Sequence, residues 1–120
     1  MNDERVVSTR IPYVPVLIRF SASPTTIEGD ALLDTGFDGY VVVPQGSVAT
    51  DRPTTQNITL QLADGSRVTA RTHAGEIRIG TTMFSPVPIT ELGHETIVGM
   101  RVINEFLFTI DHGRLLTLDR

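Results

Sequence analysis

The stretch ALLDTGFDGYVVVP, Ala31 to Pro44, sets two apolar runs around a short polar interruption. Leu32 and Leu33 lead into Asp34, the chain passes Thr35 and Gly36, and an apolar run resumes from Tyr40 through Val41, Val42 and Val43. Runs of this length and composition read as strands. An acid and two glycines between them are what a turn requires, so one reading is a bend capped by a carboxylate. A calcium loop is a second reading, because Asp34, Asp38 and Gly39 match the first, fifth and sixth positions of an EF-hand loop. That reading fails at the third position, Gly36, and at the twelfth, Gln45, where a bidentate Glu is needed, and its flanks read as strands rather than helices.

Outward from this segment the period of two persists. Tyr13 to Phe20 is rich in Val and Ile, ITLQL (Ile58 to Leu62) alternates, and Ile77 to Ile79 alternates again, which predicts a mainly β chain. ADGS (Ala63 to Ser66) and DHG (Asp111 to Gly113) carry hairpin-turn chemistry. Only MRVINEFL, Met100 to Leu107, spaces its apolar residues as a helix does, and a last hairpin, FTIDHGRLLTL, follows it. SASPTT, TDRPTT and FSPVP read as connections, and the first ten residues as a loose arm. At 120 residues with 40% hydrophobic content, the expectation is one domain with a modest core.

Whole-chain chemistry excludes several function classes. The net charge is −4 and the basic residues are scattered, so no surface for tracking phosphates is expected and nucleic acid is not a partner. With no cysteine there is no disulfide framework, thiolate metal site or cysteine nucleophile. MNDERVVSTR is acidic and polar where a secretory signal is basic then apolar, and no apolar run approaches membrane-spanning length. The expectation is a soluble, cytoplasmic protein with no membrane partner. His73, His94 and His112 lack metal-ligand spacing and receive no role, and serine-hydrolase and nucleotide-binding fingerprints are missing.

ALLDTGFDGYVVVP resembles the active-site strand and loop of the retropepsin-like aspartic proteases: two apolar residues, Asp-Thr-Gly, then an apolar strand. A second match comes from ETIVGMRVINEF, where Ile97, Val98 and Gly99 stand as the family's later apolar-apolar-Gly motif, followed at once by a short helix and a C-terminal strand. The resemblance runs from about Tyr13 to the last hairpin. It implies an all-β, closed-barrel acid protease fold with one short C-terminal helix, with Asp34, Thr35 and Gly36 as catalytic residues. It also implies a flap at ADGS, so that Asp64, Gly65 and Ser66 meet the substrate, with Phe37, Ile97 and Val98 lining the cleft. Phe37 stands where the family commonly has Ala or Ser, and Asp38 adds a further carboxylate to the loop. Gly99 reads both as a helix start and as a place where the backbone must come close to the Asp-Thr-Gly loop.

The implied chemistry suits these residue types. Hydrolysing a peptide without metal, cofactor or covalent nucleophile needs one group to take a proton from water and another to protonate the carbonyl. Two carboxylates held together cannot both ionise, so a pair supplies one base and one acid at once. This chain has a single Asp-Thr-Gly, so the second carboxylate has to come from a second copy on a twofold axis. The expected function is a homodimeric aspartic endopeptidase acting on a peptide or protein substrate. The alternative is a dimeric peptide-binding or scaffold module of the same fold that does not hydrolyse.

Overall fold

The computed structural model describes residues 5–49 and 56–120. Along the chain lie β1 (Val6–Ser8), β2 (Tyr13–Phe20), β3 (Thr26–Leu33), β4 (Val41–Val43), β5 (Gln56–Gln61), β6 (Arg67–Ile79), β7 (Thr82–Glu91), β8 (Ile97–Val98), α1 (Met100–Ile103), β9 (Leu107–Asp111) and β10 (Leu115–Asp119). The chain is mostly β, as its period of two predicts. No helix among the described residues is long and apolar enough to cross a membrane.

Alternation decides which way each strand faces. In β2 every second residue, Val14, Val16, Ile18 and Phe20, is buried, and in β10 Leu116 and Leu118 point inward. The seven-stranded sheet runs β2-β3-β8-β4-β7-β6-β5, and pairing of β2 with β6 closes its first six strands into a barrel. At that seam Phe20 lies opposite Gly75, where a β-carbon would sit 2.3 Å from the Arg19 carbonyl oxygen, so only glycine lets the strands meet. A second sheet, β1-β10-β9, covers the barrel with Val6, Leu116 and Leu118 on the shared core.

Three sequence expectations are corrected here. The N-terminal arm is not loose over residues 6–8, since Val6, Val7 and Ser8 pair with Leu118, Thr117 and Leu116. FSPVP is not a connection but part of β7: over these residues β7 has a partner strand on one side only, so a proline's missing N–H can face an edge without a ladder bond to lose. The helix ends at Ile103 instead of Leu107. Asn104, Glu105 and Phe106 close single turns onto Met100, Val102 and Ile103, and Leu107 then leaves as an exposed strand residue. SASPTT does connect β2 to β3, apart from Thr26, which begins β3, whereas TDRPTT lies outside the described residues.

Candidate active site

Asp34 is the first residue beyond β3, and its position is set by a strand far away in sequence. β3 runs parallel to β8, with Leu32 opposite Ile97 and Leu33 opposite Val98, and the Asp34 amide donates to the Val98 carbonyl at 2.9 Å. The chain then turns: the Phe37 amide donates to the Asp34 carbonyl at 3.2 Å, and the Gly36 amide donates to Asp34 Oδ1 at 2.9 Å. One carboxylate oxygen is thereby oriented by the backbone. A β-carbon on Gly36 would crowd the same oxygen at 3.3 Å.

The loop is fastened from behind by the β8–α1 junction. Gly99, Met100 and Arg101 donate their amides to the carbonyls of Tyr40, Phe37 and Gly39 at 2.8, 2.8 and 3.0 Å. Gly99 is also the helix N-cap, in extended backbone any residue can adopt, so what demands glycine there is space. A β-carbon at Gly99 would lie 2.4 Å from the Gly39 carbonyl oxygen and 2.6 Å from the Phe37 ring. Phe37 is half-buried: its ring lies between Gly39 and Gly99, with an edge on the cleft. Asp38 turns outward, its side chain 87% exposed and 3.8 Å from Arg101 Nε, and is not part of the cleft lining.

Asp34 lies on the wall of a cleft of about 760 Å³. Val42, Leu60, Leu62, Leu92, Ile97 and Phe37 give it an apolar lining, and Gln61, His94 and Glu95 a polar one. Of the residues expected here, Asp34, Gly36, Phe37 and Ile97 come together. Thr35 stands exposed beside them, outside the lining, and its hydroxyl has no hydrogen bond to a described residue. Val98 is fully buried on the core side, because successive residues of a strand face opposite ways. Asp64, Gly65 and Ser66 do not line the cleft either. They form the tip of the β5–β6 hairpin, where the Ser66 hydroxyl and amide donate to Asp64 Oδ1 at 2.6 and 2.9 Å and hold that carboxyl below its usual range. It is the arm of the hairpin, Leu60 to Ala63, that reaches the cleft.

Two cleft residues, Leu92 and Glu95, went unread in the sequence, and His94, given no role there, also lines the cleft. The loop that carries them is anchored by a buried cluster. Glu91 accepts from His73 Nε2 at 2.7 Å and from the amides of Gly46 and Val48 at 3.0 and 3.4 Å, with Arg71 Nη1 at 3.4 Å. Burial pushes the Glu91 carboxyl upward, but the His73 hydrogen bond, the Val48 amide, the Arg71 charge and the Gly46 amide together bring it below its ordinary value. His73 packs edge-on against Phe20. Beside this cluster, the Gln45 amide donates to Gly93 and the Leu92 amide to Val43, both at 2.9 Å.

No family model and no curated protein matches this sequence. Among solved structures, the fold is similar to that of a retropepsin-like aspartic protease from Rickettsia conorii, with a TM-score of 0.61 over 98% of this chain and 90% of that one, at 17% sequence identity. At that identity the likeness is one of fold: a mostly β chain around a closed six-stranded barrel.

Proposed function

We propose that the protein is a homodimeric aspartic endopeptidase whose two Asp34 carboxylates, one per subunit, meet on a twofold axis. The observation that carries this reading is the placement of Asp34, half-buried on the wall of a peptide-sized cleft with one oxygen held by the Gly36 amide. The likeness of fold to an aspartic protease supports it. So does the exposed Thr35, whose hydroxyl has no partner among the described residues and is available to a second copy's loop.

In this reading an extended peptide lies along the cleft under the β5–β6 hairpin, adding a strand to it. The ionised Asp34 takes a proton from water as the water oxygen bonds to the scissile carbonyl carbon. The protonated Asp34 of the other subunit gives its proton to the carbonyl oxygen, forming a neutral gem-diol. Collapse re-forms the carbonyl, breaks the C–N bond and sends a proton to the leaving nitrogen, and the pair again holds one proton. Because activity needs that single proton, the pH–rate profile is bell-shaped.

Asp34→Asn tests the proposal, since it keeps shape and the acceptor for Gly36 while abolishing ionisation in both subunits. General acid–base catalysis contributes roughly 10²–10⁴-fold per group, so cleavage of a peptide library falls below detection while thermal unfolding changes little. Cleavage at the parent rate overturns the reading. Binding of extended peptides by both forms with cleavage by neither replaces it with the scaffold module.

A further inference from the structure

The cleft is electrostatically one-sided. Its ionisable lining is two acids, Asp34 and Glu95, and one histidine, His94, and no arginine lines it. Glu95 is also held in place: the Tyr13 hydroxyl donates to its Oε1 at 2.6 Å, which raises the Tyr13 pKa, while no described residue binds the other oxygen. Tyr13 is in turn fixed from both sides. Its strand pairs it with Leu32, which is paired with Ile97 in the same wall, and the Arg10 guanidinium lies over its ring at 4.6 Å. The Arg10 guanidinium over that ring is itself paired with Asp30. Glu95, an exposed residue of the cleft lining, thus keeps one carboxylate oxygen without a partner among the described residues, beside apolar surface from Leu92 and Ile97. Apolar walls suit the methylene stem of a long basic side chain and the carboxylate suits its head.

We infer that Glu95 selects peptides carrying lysine or arginine, binding the cationic head through its free oxygen. The inference rests on the cleft being the peptide site. In a twofold dimer Glu95 occurs on both sides of the scissile bond, so the preference recurs at two substrate positions related by that axis.

The experiment uses matched peptides of about eight residues, apolar around the scissile bond, with Lys, Gln or Glu placed at each position in turn. Cleavage is measured as kcat/KM, and binding with the same series carrying a non-cleavable reduced amide at the centre. At the selected positions Lys exceeds Gln by roughly tenfold in both measurements, as one hydrogen bond to a charged group produces. In Glu95→Gln that ratio falls towards one, and in Glu95→Lys the preference reverses towards Glu peptides, a swap that loss of structure cannot produce. Equal cleavage of Lys and Gln peptides by the parent overturns the inference and leaves the protease reading intact. Lys-selective binding without cleavage does the opposite. Failure to bind any peptide ends both.

Discussion

Gly99 is the residue on which the Asp34 loop rests. Alanine there places a methyl group against the Gly39 carbonyl and the Phe37 ring, and the first of these is backbone with little freedom to yield. Overpacking of this kind costs about 1–3 kcal/mol, so Gly99→Ala lowers the melting temperature by several degrees. Peptide cleavage falls further than stability does, because the loop that shifts is the one orienting Asp34; thermal unfolding and kcat/KM on the same sample separate the two. Both sequence readings of Gly99 hold, for it caps the helix and permits the close approach. The side chain of Phe37 was not legible in the same way. Its ring is directed by two glycines, one of them 62 positions on, and linear sequence carries no record of that distance in space.

Elements were legible where a single face is buried. β2, β10 and both hairpin turns follow from alternation and turn chemistry alone, whereas β7 was hidden by its prolines and the helix overran because Phe106 and Leu107 happen to continue its spacing. The Glu91 cluster was invisible for a different reason: His73, Glu91 and the 46–48 loop belong to three separate segments, joined only by the β6–β7 and β4–β7 pairings. It predicts an acid-side stability loss. The folded-state pKa of Glu91 lies below its unfolded value, so its contribution is fully present above the ordinary glutamate range and is lost as pH falls through the lowered value. Glu91→Gln therefore destabilises the protein near neutrality by about 1–3 kcal/mol, and the gap to the parent narrows as the pH is taken below 4.5. Urea unfolding across pH checks it, and a gap that widens in acid refutes the assignment.

For the molecule as a whole, the proposed activity belongs to pairs of chains. Sedimentation is expected to report a species of twice 13.1 kDa at assay concentrations. A mixing experiment is sharper. When parent and Asp34→Asn chains are combined in equal amounts and allowed to exchange, only about a quarter of random dimers keep both acids, so activity drops to about a quarter of an all-parent sample rather than about half. A value of half places the whole reaction within one chain. The parallel contact between β3 and β8 has one more consequence, which concerns time. Leu32 and Ile97 meet although they lie more than half the chain apart, and the barrel is closed by partners nearly as remote. Chains dominated by such remote pairings fold in milliseconds to seconds, because a large loop has to close before any contact rewards it. Until that closure Asp34 lacks its anchor on Val98, and the Asp-Thr-Gly triplet is merely a soluble tripeptide in a loose chain. In the proposed reading, a newly made or damaged molecule that has not closed this contact does not hold Asp34 where cleavage needs it.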